Sequence, residues 1–442
     1  MIDGSSGRAM SIVVPLPPSY RGGTEEYAYR TAQRFAQAHP VRVFTTSVRW
    51  MPEAPMLDVH DVELHRLPAR EIWERPVLGS GAWGQLRSAI EQSEVLQLHM
   101  PFPIVEARAV RAARTAGTPT VLTYHMDADL AGARGGVAAH GVTHAYRALS
   151  AHPALREADA VVSNSWEYAR TSPVLSHYMH KVRVIHKGVD TARLGVSRRT
   201  RTDRKRPASV PAEAVPEGRA RLLTVGRLVP YKGLPVLLEA VRLMTDCFED
   251  VVLLVAGRGP MQPKLESEAK RLGIEDRVRF LGFVPDEEIG PLYRFADVVV
   301  APSIGSLEST ATTLEEAAMC GTPVVGSDLP GTSETVPNDG RRGLLVPPGD
   351  PHLLSRAIVR MIETGRPATP IPLRTWEDTA REYLELFREL GAFLPGRPSS
   401  PVDLPTRAPA GWPAERPRPA RPSWSGWAGR RWRTSSRRAR IP

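Results

Sequence analysis

Short, wholly apolar runs alternate with amphipathic stretches of helical length twice along this chain, and that alternation leaves few folds open. Val251–Ala256 and Val298–Ala301 are the clearest runs. Strands this apolar are buried on both faces, and strands alternating with helices predict a parallel sheet covered on both sides. In the first half, strands are expected at 11–15, 41–46, 95–99, 120–125, 160–164 and 182–186, with helices over 24–38, 105–116 and 166–178 among them. In the second half, strands are expected at 221–225, 251–256, 278–281, 297–302, 323–327 and 343–346. Helices fill the gaps, and a last amphipathic one covers 375–390. The apolar runs are too short to span a bilayer.

The two halves meet at a stretch, 197–218, rich in Arg, Pro, Ala and Glu and without apolar periodicity. The expected organisation is a Rossmann-like domain over 1–196, a flexible basic and Pro-rich linker over 197–218 and a second Rossmann-like domain over 219–373. A helix at 374–392 follows, and a Pro/Arg/Trp-rich tail over 396–442 is read as disordered. Composition matters here chiefly through charge. The formal net charge is +10, but Gly396–Pro442 carries +9 and Arg198–Arg206 carries +5. With those two segments removed, the rest of the chain carries about −4 by the same counting. A nucleic-acid enzyme would hold its positive charge on the folded surface, so nucleic acid is not an expected partner. The two cysteines, Cys247 and Cys320, form no metal or redox spacing. The start, MIDGSSGRAM, has no apolar run of the signal-peptide kind, and a reducing, cytoplasmic setting is the expectation. For the tail two readings stay open: a peripheral electrostatic contact with an anionic inner-membrane face, near a lipid-linked acceptor, or a solvated extension with no role.

Four groups of residues carry chemistry. Gly22 and Gly23 follow the first strand and open the first helix. Paired glycines let backbone approach a ligand, and a helix start offers amides to an anion. A plain turn explains them equally well, and the absence of G-x-G-x-x-G argues against a dinucleotide site. His99 and His125 stand at strand ends, where open α/β sheets bind ligands. His99 reads as a core or turn residue; His125, with Asp127 nearby, reads as functional. Arg227 and Lys232 lie in VGRLVPYKG after a buried strand, a planar fork and a point charge suited to a diphosphate. Glu308 and Glu316 flank the start of the 312–320 helix, with Ser309, Thr310, Ala311 and Thr312 leaving amides there for an anion. Acids near a helix N-terminus are favourable for dipole reasons alone, so the pair by itself does not establish a site.

Taken together, these motifs resemble the retaining GT-B glycosyltransferases of family 4, also called group 1 glycosyl transferases. The resemblance runs through TSPVL (171–175), VIHKGVD (184–190), VGRLVPYKG (225–233) and VAGRGP (255–260). It continues in VRFLGFVP (278–285), the glutamate pair, CGTPVV (320–325), GLLVPPGDP (343–351) and the helix at 376–390. It implies two Rossmann-like domains whose parallel sheets face a central cleft, the first on the acceptor side and the second binding the nucleotide-sugar, with the last helix crossing back onto the first. It implies a nucleotide-diphosphate sugar donor, a glycan, lipid-linked or small-molecule acceptor, and transfer of a hexosyl group with retention; the sequence shows no carboxylate cluster of the metal-binding kind, so no metal or other cofactor is expected. By that resemblance Gly226, Arg227 and Lys232 hold the diphosphate, Glu308 the transferred sugar and Glu316 the ribose. Gly22 and Gly23 approach phosphate or acceptor, and His125 meets the sugar. Two positions depart from the family. Ser309-Thr310-Ala311 stands where a Gly-Phe-Gly-like run is usual, which implies a narrower sugar pocket, and His186 stands where proline is usual. A sugar phosphorylase, a nucleotide-sugar epimerase or a non-catalytic sugar-binding subunit on the same fold remain the alternatives.

Overall fold

A computed structural model describes residues 8–18, 22–47, 60–72, 75–128, 137–195, 204–215, 218, 220–245, 251–305, 311–365 and 374–393. The tail, Glu308, Ser309, Thr310 and Cys247 lie outside these residues.

The first half builds β1 (Met10–Val13), α1 (Gly23–Ala36), β2 (Val41–Ser47), β3 (Glu63–Ile72), β4 (Arg75–Leu78), α2 (Ser80–Glu91), β5 (Leu96–Met100) and α3 (Val105–Thr115). It continues through β6 (Thr120–Tyr124), α4 (Val137–Tyr146), α5 (His152–Glu157), β7 (Ala160–Ser163), α6 (Trp166–Thr171), β8 (Val182–Val184) and α7 (Thr191–Leu194). These strands form an 8-stranded sheet in the order β4-β3-β2-β1-β5-β6-β7-β8, parallel except for the β3–β4 pair. The chain order reverses direction at β1, between β2 and β5, which opens a crevice beyond the carboxyl ends of β1 and β5.

The second half builds β9 (Ala220–Val225), α8 (Leu234–Thr245), β10 (Val251–Ala256), α9 (Gln262–Arg271), β11 (Val278–Gly282), α10 (Asp286–Phe295) and β12 (Val298–Ala301). Then come α11 (Thr312–Met319), β13 (Val324–Ser327), α12 (Pro330–Ser333), β14 (Gly343–Val346), α13 (Pro351–Thr364) and α14 (Trp376–Glu389). Its 6-stranded sheet runs β11-β10-β9-β12-β13-β14, all parallel, with the switch between β9 and β12. Each sheet carries an apolar cluster on either face.

Helix α14 closes the molecule. Thr375 and Asp378 form a reciprocal capping box at its start, and Trp376, Tyr383, Leu386 and Phe387 bury one face against α1 of the first domain. The segment leading into it runs beside the crossing at Gly188–Val189: Val189 N–H donates to Arg374 O at 2.9 Å. A Cβ on Gly188 would lie 2.4 Å from Trp376 N, so only glycine lets the two strands of backbone meet there. A second tie joins the domains. The Ser165 hydroxyl and the Glu167 amide, at the start of α6, both donate to Glu334 just after α12.

Several expectations need correction. The helix expected over 166–178 is two pieces. Ser172 is extended (ψ 128) because Pro173 follows, and its hydroxyl accepts from Leu175 N–H, starting a 3₁₀ turn over Leu175–Lys181. The edge hairpin β3–β4 adds two strands to those expected; β3 has intermediate or exposed residues through most of its length and so lacks a continuous apolar run. Residues 204–215, read as part of a flexible linker, lie against the second sheet. Val210 and Ala214 enter its apolar cluster, and Glu288 accepts from Ser209 N–H. Two isolated apolar residues between prolines anchor a segment without giving it any period.

Candidate active site

The second domain supplies a wall built on loops at strand ends. Beyond β9, Gly226 has φ 147, and beyond β10, Gly257 has φ 134. A Cβ on Gly257 would sit 1.9 Å from Gly226 O, so these two loops stack only because one of them lacks a side chain. Gly226 N–H donates to Ala256 O at 2.9 Å and Leu228 N–H to Arg258 O at 3.0 Å, fixing the backbone on either side of Arg227. Residues Pro230–Lys232 form a short 3₁₀ turn that ends at Gly233 (φ 65). The Lys232 ammonium lies 5.5 Å from the Tyr231 ring centroid. Across the switch point, α11 begins at Thr312 with Ala311 as a cap that brings no side-chain acceptor. Glu316, one turn further on, accepts from the Tyr293 hydroxyl at 2.8 Å and pairs with Arg193. Burial pushes the Glu316 carboxyl above its ordinary range, against the pull of Arg193.

The first domain supplies a wall of a different kind. Gly23, Thr24, Glu26 and Tyr27 come from the start of α1, His125 from the end of β6 and Lys187 from the crossing segment. The Lys187 ammonium donates to Glu26 at 3.2 Å and lies 5.7 Å from the Trp376 ring. Burial would raise the Glu26 carboxyl, but Lys187, Arg193 and Arg30 outweigh it and hold its pKa at about 2. The His125 ring is buried, and burial together with Lys187 lowers its pKa to about 3, so it is neutral at physiological pH. Its Nε2 lies 2.8 Å from His99 Nδ1.

The two walls enclose a cleft of about 340 Å³. Of the residues singled out from sequence, Gly23, His125, Gly226, Arg227, Lys232, Thr312 and Glu316 line it together. Gly22 is set back as the cap of α1, and Ala311 is buried in the apolar cluster of the second sheet. Asp127 does not accompany His125. It turns toward α6, accepting from the hydroxyls of Tyr124, Tyr168 and Ser172. His99 is buried, as a core residue would be, but it is bonded to His125. Sequence reasoning missed Glu26, Tyr27, Lys187, Arg193 and Tyr293. Lys187 stood within a quoted motif, VIHKGVD; its burial, which makes a cation informative, is visible only in the fold. Among the described residues, no group of three His, Cys, Asp or Glu could hold a metal ion. No helix among them is long and apolar enough to cross a membrane.

Comparison with known proteins gives the family and the fold. The family model for glycosyltransferase family 4 matches residues 21–193, and that for glycosyl transferases group 1 matches residues 205–377. The chain is 30% identical over 276 residues to the D-rhamnosyltransferase WbpZ of Pseudomonas aeruginosa, covering 62% of this chain and 65% of that one. It is 28% identical over 399 residues to a D-inositol 3-phosphate glycosyltransferase of Acidothermus cellulolyticus, covering 83% and 86%. At 30% identity or more the overlap is shorter: the chain spans 65% of the first such relative and 60% of a Corynebacterium urealyticum one. A crystal structure of Anabaena Alr3699/HepE in complex with UDP and glucose superposes with a TM-score of 0.62 at 18% identity, over 86% of this chain and 99% of that one, which establishes the fold. The architecture is GT-B, two Rossmann-like domains about a cleft. The chain belongs to the group 1, or family 4, glycosyl transferases, a retaining family.

Proposed function

We propose that this protein is a retaining hexosyltransferase that moves a sugar from a nucleoside-diphosphate donor onto a hydroxyl of a glycan, lipid-linked or small-molecule acceptor. The observation that carries the reading is a convergence at one switch point. Arg227, Lys232, the start of α11 and Glu316 gather beyond β9 and β12, across the cleft from a neutral His125. When the sugar C1–O bond breaks, its electron pair passes to the diphosphate oxygen. Arg227, Lys232 and the first amides of α11 stabilise that charge, which is preorganised electrostatic catalysis. The acceptor hydroxyl attacks from the face the diphosphate leaves, and its proton passes to the departing phosphate oxygen. Glu308 and the amides at Ser309, Thr310 and Ala311 receive the transferred sugar, and His125 donates to one of its hydroxyls. Glu316 takes the ribose. A carboxylate has about four lone-pair sites, so the bonds from Tyr293 and Arg193 leave room for ribose hydroxyls. Phe283, 45% exposed on the cleft wall, offers an apolar surface for the base. Gly22 and Gly23 bring the start of α1 close to phosphate or acceptor.

A donor screen tests this. UDP-sugars come first, because the HepE structures hold UDP, followed by GDP- and ADP-sugars. Release of nucleoside diphosphate is expected to require an acceptor and to continue at an unchanged rate in EDTA. Product from donor alone indicates an epimerase, dependence on free phosphate indicates a phosphorylase, and tight donor binding without turnover indicates a binding subunit. Each of these outcomes overturns the proposal.

A further inference from the structure

Strands β5 and β6 pair in parallel with His99 opposite Thr123. His125 lies two residues beyond Thr123, so by the two-residue period of a strand its ring falls on the same face as His99. The ring centroids lie 5.1 Å apart with the planes 15° from parallel, and the rings meet edge to edge: Nδ1 of His99 faces Nε2 of His125 at 2.8 Å. Tyr27 packs edge-on against both, at 6.0 and 5.2 Å between centroids. Tyr27 is itself held by its hydroxyl, which lies within hydrogen-bond distance of the Tyr383 hydroxyl of α14 (3.2 Å) and of Ile185 O (3.4 Å). Neither ring can tilt without disturbing that aromatic group. The remaining nitrogen of His99, Nε2, is buried with no hydrogen-bond partner among the described residues.

One hydrogen lies between the two facing nitrogens. If His125 Nε2 carries it, then neutral His99 must protonate its own Nε2, burying an N–H with no acceptor. If His99 Nδ1 carries it, the buried orphan is only a lone pair, and orphaned buried N–H groups are the rarer case in folded proteins. The second arrangement also leaves the hydrogen of His125 on Nδ1. We propose that His99 is a positioning residue: its Nδ1–H donates to His125 Nε2, holding His125 as the Nδ1–H tautomer and fixing its ring plane on the cleft wall. His125 then meets a sugar hydroxyl as a fixed neutral donor. This rests on the reading of His125 as a group that touches the transferred sugar. The charge state is consistent: burial and the neighbouring His125 hold His99 well below the ordinary histidine range.

Two readouts test the inference, one of them independent of turnover. In protein labelled with ¹⁵N-histidine, the ring nitrogens of His125 are expected to show a protonated Nδ1 and a bare Nε2 in the unliganded wild type. In His99→Leu the ring should become a mixture of tautomers. His99→Asn, whose side-chain N–H sits close to the place of Nδ1–H, should restore the wild-type pattern. In turnover, His99→Leu is expected to lower kcat on the order of tenfold to a hundredfold with little change in donor KM, and His99→Asn to recover most of it. An Nε2-protonated His125 in the wild type overturns the inference. So does a folded His99→Leu variant with kcat within roughly twofold of wild type. His125→Ala separates this from the parent reading. If it turns over as fast as wild type, the sugar contact falls, and the ring nitrogens still decide the role of His99 by themselves.

Discussion

The two walls of the cleft do their work by opposite means. The second-domain wall carries charge on loops: Arg227 and Lys232 sit at strand ends where glycine backbones stack, and neither side chain is buried in the core. The first-domain wall is continuous with an aromatic core. Tyr27 touches His99, His125, Trp376 and Tyr383, so its ring joins the terminal helix to the cleft wall, and Lys187 over Trp376 makes a second link. On the proposed function the second-domain wall would meet the diphosphate whose charge grows during reaction, and the first-domain wall, where a Glu26–Lys187 ion pair stands beside a neutral His125, would hold the sugar at a fixed position. Loops at strand ends can be rebuilt while the sheet stays intact. A wall shared with the core cannot change without loss of stability.

The contrast breaks most sharply in turnover. Lys232→Ala and Glu308→Ala are each expected to lower kcat by about a hundredfold, on the order of 3 kcal/mol of transition-state stabilisation, with thermal stability nearly unchanged. Steady-state kinetics beside a melting curve checks this. Rates within a few-fold of wild type for both would remove the charged wall from the chemistry.

That wall was also the legible one. Gly226, Arg227 and Lys232 lie within seven consecutive residues, and Thr312 and Glu316 share one short helix, so sequence spacing alone places them together. The parallel strands of the second sheet announced themselves as continuous apolar runs for the same local reason. The other wall joins residues near 25, 99, 125, 187 and 380. Their proximity is a product of β1 lying beside β5 and of α14 returning to α1, which no local pattern encodes. Asp127 shows the converse error. Adjacency in sequence suggested a partner for His125, but the strand end turns the carboxylate to the α6 side.

A backbone test sharpens the comparison next. Gly257→Ala places a Cβ 1.9 Å from Gly226 O at a residue with φ 134. The loop beyond β10 must then shift, displacing the loop that carries Arg227. A loss on the order of 2–3 kcal/mol of stability is expected from the strained dihedral and the contact together, accompanied by weaker donor binding. Gly23→Ala, on the other wall, meets no atom within 4 Å among the described residues outside its own helix backbone and should leave stability within about 0.5 kcal/mol of wild type. Melting curves of the two variants decide it, and equal losses would mean that the glycine loops are not what sets the charged wall in place.

The smallest expected effect concerns how the first domain suppresses charge in its interior. His125 has a folded pKa of about 3, below its unfolded value of 6.5, so between those pH values the unfolded chain holds the extra proton. Its contribution to stability is therefore complete above pH 6.5 and is lost as pH falls toward 3. Glu106, buried in the first turn of α3 with Phe102 N–H donating to it at 2.7 Å, works in the other direction. Burial raises its pKa from 4.5 to about 7, so the folded chain holds the extra proton, and its contribution is complete below 4.5 and lost as pH rises through 7. From 4.5 to 6.5 the two slopes oppose each other. Glu106→Gln keeps the acceptor for Phe102 N–H and removes one of the two titrations. Relative to wild type, its stability is expected to rise with pH across that window by on the order of 1 kcal/mol per pH unit. Denaturant midpoints measured from pH 5 to 6.5 in both proteins read the difference directly. Parallel curves would show that Glu106 titrates alike in the folded and unfolded chain, and that the interior of this domain does not hold its carboxyl neutral.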